Sequence, residues 1–438
     1  MAMKKALIFL ACFVTTISSF GKNIKKPLNL NKILINPEKI EPGINNTMAR
    51  IQELTKAPEE WITIFVHGSV GSSLCLRHFL TLFKESITGT AYEKETLEHR
   101  NGPQWHKNQA AQGLGLHKID MDGPIKDSAQ LFAHIYDDMQ KKAYPQHITT
   151  DYYTFGWSGI VNHKERCKDA ERMYNELKTL VTSLKKEHKQ KKIRIVTYSH
   201  GGNMVCNMID VHNRDKDALD ITINELIMIA TPIQRETDCN VLNPLFENVY
   251  SIYSRADCVQ KMDCFSFIRF FSGRKFKDSC RCEIGNVVQQ IELKITVAAQ
   301  ADAKLACSTC RPSKKRIDRS PGHVEFWHFA DLCFCQCDNE YEPCFESKLY
   351  RAYFPFEPLP AAVFTPLVIA AAQKNLPYQH AVVELQPDTG HMVLRKKHTR
   401  KKQTIDFMSP DEIKELRNRA MPFLQKELTD DHTNSKAA

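Results

Sequence analysis

The sequence predicts an α/β fold in which a mostly parallel sheet is flanked by helices. Two observations lead to this class. Short apolar strands bounded by turn residues alternate with helical stretches through the middle of the chain. The composition is that of a globular protein, with 42% hydrophobic and 25% charged residues in 438 positions, so a large core is expected.

The predicted elements follow in a regular order. Strands rich in β-branched and aromatic residues are predicted at 61–66, 152–157, 193–197, 226–230, 249–253 and 290–298, and a hairpin at 381–386 and 391–395. Helices are predicted at 168–188, where apolar residues recur at helical spacing, at 203–211, after the turn at 357–360, and from Ser409, a capping residue followed by proline. The strand-to-helix alternation is regular up to about residue 258.

The chain divides into four predicted parts. These are a signal peptide at 1–21, an N-terminal segment at 22–58, an α/β core at 59–345 with a cysteine-rich insertion at about 258–312, and a C-terminal helix, hairpin and helix extension at 346–438.

The first residues are typical of a secretory signal peptide. Lys4 and Lys5 precede an apolar stretch at 6–20, and the small residue Gly21 suits cleavage before Lys22. An uncleaved anchor, a first helix of the fold, and lipidation at Cys12 are the alternatives, but the apolar stretch falls short of the ~20 residues that a membrane-spanning helix needs. The sequence therefore predicts export.

Cysteines are concentrated in one region. Ten of the 15 lie between Cys258 and Cys344. In an exported protein such clustering favours disulfides, with a metal site or free thiols as alternatives. Their pairing cannot be read from the sequence.

The chain is basic, with a formal net charge of +9. Its densest basic run comprises Arg395, Lys396, Lys397, Arg400, Lys401 and Lys402. A solvated hairpin edge is the simplest interpretation, and contact with an anionic membrane surface is the functional one. No aromatic residues are interleaved with the run, so no nucleic-acid partner is predicted.

Ser199 is the candidate nucleophile. It stands in Thr-Tyr-Ser-His-Gly-Gly between a predicted strand and a predicted helix. A serine hydroxyl attacks a carbonyl only when a base takes its proton and the backbone conformation keeps the oxygen away from the main chain. A sharp strand-to-helix turn provides the second condition and requires small residues two positions either side, which Gly201 satisfies and Thr197 satisfies only in part.

This pattern resembles the α/β-hydrolase superfamily, in particular its lipase and esterase branch. The resemblance covers residues 59 to about 260 and rests on Ser199, on His67-Gly68 after a strand, on Thr231-Pro232 and on an aspartate after the following strand. Thr197 departs from the usual glycine, although some lipases are similar in having threonine there. The resemblance implies the order nucleophile, acid, base along the chain.

Asp257 is the predicted acid, because it follows the strand at 249–253, and Asp263 is its nearest substitute. Two histidines compete as the base. His391 has the more typical local pattern, whereas His323 leaves fewer residues between neighbouring strands, and we favour His323.

His323 also belongs to a second pattern. Together with Cys307, Cys310 and His328 it has the spacing of a zinc finger. Pro321-Gly322 would break the helix that must carry both histidines of a finger, so no metal ligand is predicted.

The resemblance further implies an oxyanion hole formed by the backbone N–H groups of Ser69 and His200. The sequence thus predicts an exported serine hydrolase that cleaves carboxylic esters, including lipid esters, through an acyl-enzyme and without a cofactor. An acyltransferase or thioesterase with the same three residues, and a non-catalytic binding protein on the same fold, are the alternatives.

Overall fold

The computed structural model describes residues 59–70, 77–78, 81, 86–144, 148–187, 189–215, 221–262, 272–276, 287–298, 316–329, 354–377 and 380–434. All of these lie in one compact unit, Pro58–Ala438.

A single twisted sheet forms the centre of this unit. Its strands are β1 (Glu59–Val66), β2 (Gly115–Lys118), β3 (Ile148–Gly156), β4 (Lys192–Tyr198), β5 (Ile223–Ile229), β6 (Phe246–Tyr253), β7 (Val288–Ala298), β8 (Arg316–Asp318), β9 (Ala381–Gln386), β10 (His391–Lys396) and β11 (Gln403–Asp406). The order across the sheet is β11-β10-β9-β7-β6-β5-β4-β1-β3-β2, and β8 pairs with β7. Neighbours from β3 to β9 in this order are parallel, whereas β2, β8, β10 and β11 are antiparallel to their partners.

Helices connect and cover the strands. They are α1 (Ala91–Asn101), α2 (Pro103–Lys107), α3 (Ser128–Ala143), α4 (His163–Lys186), α5 (His200–Cys206), α6 (Met208–Arg214), α7 (Val259–Met262), α8 (Thr365–Asn375) and α9 (Pro410–Asn434). Short 3₁₀ turns lie at Asn240–Leu242, Val324–Phe326 and Ala361–Phe364.

Apolar side chains cover both faces of the sheet. Alternate residues of β1 separate the two cores, since Phe65 packs with α3 and α8 on one face while Ile64 and Val66 pack with α4 and α5 on the other. Strands that are buried on both faces read as nearly continuous apolar runs, as 61–66 and 226–230 do. The predicted α/β class is confirmed.

The order in which successive strands are added to the sheet reverses at β1. This strand lies between β3 and β4, and the parallel register places Val66 beside Thr197. The loops that leave β1 and β4 therefore meet at the carboxyl edge of the sheet, where parallel α/β sheets bind their ligands.

Several elements differ from prediction. Helix α4 begins at His163 rather than near 168, because Asn162 caps it and accepts from the N–H groups of Lys164 and Glu165. The predicted helix at 203–211 is two short helices that meet at Asn207. Helix α3 was not predicted, although the Asp127 side chain caps it by accepting from the Gln130 N–H at 2.7 Å.

Other predictions fall outside the described residues. These are the signal peptide, the segment at 22–58 and the cysteines from Cys264 to Cys344. In the part that the structure describes, Cys167, Cys206 and Cys258 carry free thiols. Of the helices in that part, none combines the length and the apolar character that a bilayer crossing requires.

Candidate active site

Ser199 occupies a tight turn between β4 and α5. Its φ of 51° and ψ of −132° lie outside the regions that residues with a Cβ ordinarily adopt. The Ser199 N–H donates to the Ile229 carbonyl at 2.9 Å, which fixes this backbone against β5. The turn therefore holds the hydroxyl away from the main chain, as a nucleophile requires.

Close packing around the turn explains the small residues in the motif. A Cβ on Gly201 would overlap the His67 carbonyl oxygen, and one on Gly202 would overlap the Thr231 hydroxyl. Thr197 is accommodated two residues before the serine because its hydroxyl donates to the Ile227 carbonyl at 3.2 Å. The threonine is thus a buried strand residue with a satisfied hydroxyl.

The structure brings Ser199, His323 and Asp257 together. The His323 Nε2 lies 2.9 Å from the Ser199 Oγ, and the His323 Nδ1 lies 2.8 Å from the Asp257 Oδ2. Asp257 is completely buried and Ser199 is 4% exposed. With the proton on Nδ1 donated to Asp257, the Nε2 lone pair accepts from the serine hydroxyl, which is the arrangement in which imidazole acts as a base.

Asp257 is held in place from its own loop and from the segment at 272–276. The Gln260 N–H lies 3.3 Å from Oδ1 and donates to it, while the Gln260 amide donates to the Thr231 carbonyl at 2.7 Å. The Arg274 guanidinium donates to the Asp257 main-chain carbonyl. These contacts orient the carboxylate toward His323.

Two contacts position the loop that carries His323. The Ser320 hydroxyl accepts from the Ile295 N–H of β7 at 3.2 Å, and the Tyr198 hydroxyl donates to the His323 carbonyl at 3.0 Å. The rings of Tyr198 and His323 also lie with their centroids 5.0 Å apart. Tyr198 is not among the site residues predicted from the sequence. The sequence shows only that an aromatic residue stands directly before the serine, and this does not indicate a contact with the base.

A second histidine lies close to the base. Burial, and next the neighbouring His323, lower the pKa of His328 to about 3. His328 is therefore neutral at physiological pH, and its ring packs edge-on against Tyr198. The Trp327 ring also stacks on Tyr198, with the two ring centroids 5.5 Å apart. The candidate base thus lies beside a histidine ring that carries no charge.

His67 fixes the loop that precedes Ser69. The Trp157 N–H donates to the His67 Nε2 at 3.2 Å, so Nδ1 carries the proton and donates to the Gly68 carbonyl at 2.7 Å. Burial, and next the positive charge of Arg100, lower the pKa of His67 to about 3. The neutral imidazole thus braces the turn at the end of β1.

The predicted oxyanion residues flank the serine. A Cβ on Gly68 would lie 3.0 Å from the Ser199 Cβ, so the loop that carries Ser69 runs directly against the candidate nucleophile. His200 begins α5, and its side chain points away into a buried contact in which Arg166 donates to Nδ1 at 3.0 Å. The assignment of the two N–H groups to an oxyanion stays a prediction.

The alternative site residues considered in the sequence analysis are either distant from Ser199 or outside the described residues. His391 lies in β10 with its Nδ1 3.7 Å from Asp406, and four strands, β9, β7, β6 and β5, separate it from β4. Asp263, Cys307 and Cys310 are outside the described residues. Among the residues that are described, no three His, Cys, Asp or Glu side chains gather as metal ligands would.

A family of known proteins matches the central part of the chain. Residues 126–252 match a family described as alpha/beta hydrolase of unknown function (DUF900). The matched segment includes Ser199 and ends before Asp257. No curated protein sequence matches the chain. The order of the sheet and this match, which covers less than a third of the chain, support an α/β-hydrolase fold.

Proposed function

We propose that the protein is a serine hydrolase that cleaves carboxylic esters through an acyl-enzyme. The single observation that carries this proposal is the unbroken chain of hydrogen bonds from the Ser199 hydroxyl through His323 to Asp257, at 2.9 and 2.8 Å. Each member lies on a different loop at the carboxyl edge of the sheet. A chance cluster of three polar residues would not require the unusual backbone of Ser199.

The proposed reaction begins with attack by the Ser199 oxygen on the ester carbonyl carbon. His323 takes the hydroxyl proton on Nε2, and Asp257 stabilises the resulting imidazolium through Nδ1. Collapse of the tetrahedral intermediate breaks the bond to the alcohol, which receives the proton from His323. Water then attacks the acyl-enzyme by the same steps, and the acid is released. The residues named supply every proton transfer without a cofactor.

The oxyanion of the intermediate needs donors that are already in position. The N–H groups of Ser69 and His200 are the proposed donors, because both residues follow strands whose ends lie side by side. The neutral His67 beneath the first loop supports this role, since it keeps the loop against the serine without adding a charge.

A lipid ester is the proposed substrate class, and export with peripheral contact to an anionic membrane is the proposed setting. The support is the N-terminal sequence together with the exposed basic turn between β10 and β11, which carries Arg400, Lys401 and Lys402. Mass analysis of the N-terminus of the protein recovered outside the cell tests export, with cleavage after residue 21 expected.

Ester hydrolysis tests the central proposal. We expect the wild type to release p-nitrophenol from esters of short and long acyl chains, and Ser199→Ala to lose this activity. Asp257→Asn should lower kcat by about 10³- to 10⁴-fold, because the neutral amide no longer holds the imidazole in the required tautomer. His391→Ala is the matched control and should retain wild-type rates. Equal rates in folded wild type and Ser199→Ala would refute the proposal.

A further inference from the structure

A buried arginine contacts the residue that follows the candidate nucleophile. Arg166 lies in the first turn of α4 and is 1% exposed. Its guanidinium donates in two directions, from Nη1 to the His200 Nδ1 at 3.0 Å and from Nη2 to the Gln234 Oε1 at 2.8 Å. Gln234 lies in the loop that follows β5 and is completely buried. Arg166 therefore joins the first residue of α5 to that loop.

An arginine at this position is energetically costly. Ala170 and Met173, one and two turns further along the same face of α4, are core residues. Removing a guanidinium from water is unfavourable, and an apolar side chain of similar volume would fill a core position at less cost. The hydrogen bonds to His200 and Gln234 are therefore what this position gains from an arginine.

The contact with Arg166 also fixes the state of the His200 ring. A guanidinium stays protonated in proteins and has no acceptor, so Arg166 is the donor of this pair. The His200 Nδ1 therefore carries the lone pair, and Nε2 carries the proton. A protonated imidazole has a donor on both nitrogens, so the contact requires the neutral ring.

His200 carries one of the two proposed oxyanion donors in its main chain. The Ser199 carbonyl accepts from the Gly202 N–H at 3.1 Å, at the start of α5. The C=O and N–H groups of a trans peptide point in opposite directions, so this bond directs the His200 N–H out of the helix. The position of the N–H thus depends on how firmly the peptide between Ser199 and His200 is held.

This peptide follows a residue with strained backbone. The φ of 51° at Ser199 persists only where the surrounding structure holds it. On the preceding side, the Ser199 N–H donates to the Ile229 carbonyl at 2.9 Å. On the following side, Arg166 holds the His200 ring, and the Asn203 amide donates at 2.9 Å to a carbonyl of the loop after β5. The guanidinium is thus the contact that holds the side chain next to the nucleophile.

We infer that Arg166 is a positioning residue, which acts through the His200 side chain to hold the His200 N–H where the oxyanion forms. The inference rests on the proposed function and adds a residue to the same site. The Arg166 guanidinium is directed to His200 and Gln234, so it is not a catalytic residue. Loss of its contact should lower kcat and leave KM unchanged, because an oxyanion donor acts mainly in the transition state.

Steady-state hydrolysis of a p-nitrophenyl ester by the full chain tests the inference. We expect Arg166→Gln to lower kcat about 10- to 100-fold with KM within about twofold of wild type, since displacing an oxyanion donor should cost less than the roughly 10²- to 10³-fold of losing one. Arg194→Gln is the matched control. The Arg194 side chain is 3% exposed and donates to Glu225 and Gln140, which are not site residues, so the folded variant should keep kcat within about twofold of wild type.

A pair of substitutions at His200 tests the same contact, and it decides the matter even where Arg166→Gln does not fold. His200→Asn keeps an acceptor, because its side-chain oxygen takes the place of Nδ1, whereas His200→Leu removes it; both keep the main-chain N–H. We expect His200→Leu to lower kcat as much as Arg166→Gln, and His200→Asn to recover kcat to within about threefold of wild type. The double variant Arg166→Gln, His200→Leu should be no slower than either single variant, since both remove one contact.

The outcomes distinguish this inference from the proposed function. A wild type without Ser199-dependent hydrolysis refutes the proposed function and the inference with it. An active wild type with the same kcat in Arg166→Gln and Arg194→Gln, or in His200→Leu and His200→Asn, overturns the inference alone. Additive losses of kcat in the double variant also overturn it, because they place the two residues in separate roles. Melting temperatures establish that the variants compared are folded.

Discussion

Tyr198, the residue directly before the candidate nucleophile, donates a 3.0 Å hydrogen bond to the main-chain carbonyl of His323, the candidate base. Its ring stacks on Trp327 at an interplanar angle of 1°. Strand β4 therefore positions the serine through its backbone and the histidine through the Tyr198 side chain. This contact links the candidate nucleophile to the candidate base, although 124 positions separate them in the sequence.

Tyr198→Phe tests this positioning role. The substitution keeps the ring contacts and removes a hydrogen bond worth about 0.5–1.5 kcal/mol, so kcat should fall about two- to tenfold while KM stays unchanged. Tyr152→Phe is the matched control, because its hydroxyl also makes a partly buried hydrogen bond, to Asp137 at 2.9 Å, but does not touch His323. A similar loss of kcat in both variants would indicate a general packing effect.

Gly201→Ala tests the close approach of the nucleophile turn to β1. The added methyl group would overlap the His67 carbonyl oxygen, so the turn must shift. We expect a loss of about 1–3 kcal/mol in the free energy of unfolding and a larger loss of activity. Gly123→Ala serves as the control for activity: its φ of 83° strains an alanine and costs stability, but no atom lies within 4 Å of the added Cβ, so ester hydrolysis by the folded variant should stay at the wild-type rate. Unfolding in urea measures the first effect and ester hydrolysis the second.

The buried neutral state of His67 predicts a loss of stability in acid. Its pKa is lowered to about 3 in the folded protein from the ordinary histidine value of 6.5, which applies to the unfolded chain. Between these values the unfolded state binds a proton that the folded state does not, so stability falls as pH falls, by up to about 1.4 kcal/mol per pH unit. His67→Gln, whose amide can make both hydrogen bonds, should flatten this slope. An unchanged slope of the urea-derived free energy between pH 6 and 4 would contradict the assignment.

A buried ion pair joins β4 to β5. The Arg194 Nε lies 2.5 Å from the Glu225 Oε2, and the Arg194 side chain is 3% exposed. Glu225→Gln leaves a buried guanidinium without its carboxylate, which should cost about 3–5 kcal/mol of unfolding free energy. Glu187→Gln breaks an exposed pair with Lys189 and should change stability little. Comparable melting temperatures for the two variants would show that Glu225 is not required to balance the buried arginine.

Much of the sheet was readable from the sequence, because strands buried on both faces produce short apolar runs. The strand predicted at 193–197 lies within β4, and that at 249–253 within β6. The edge strand β2 gave no such signal, since only one of its four residues is buried and the strand includes the exposed His117 and Lys118. Helix α3 has a cap and a periodicity that are legible in the sequence, although it was not among the predicted elements.

The candidate site was predictable where local pattern sufficed. The turn motif around Ser199 was enough to identify it as the candidate nucleophile. The choice between His323 and His391 depended on which strand lies beside β6, and that is decided by tertiary structure. The structure brings His323 to Ser199 and leaves His391 in β10, four strands away from β4. Tyr198 could not be assigned from the sequence, because its partner is a main-chain carbonyl on a distant loop.

Covalent labelling tests the central claim most directly. The full chain is treated with a fluorophosphonate, and the modified residue is located by peptide mass spectrometry. We predict one adduct, on Ser199, that is abolished by Ser199→Ala and by His323→Ala and is retained by His391→Ala, because only an oxygen with a base within hydrogen-bond reach displaces fluoride at a useful rate. A folded wild type that stays unlabelled, or a label that persists in Ser199→Ala, would contradict the proposed serine chemistry.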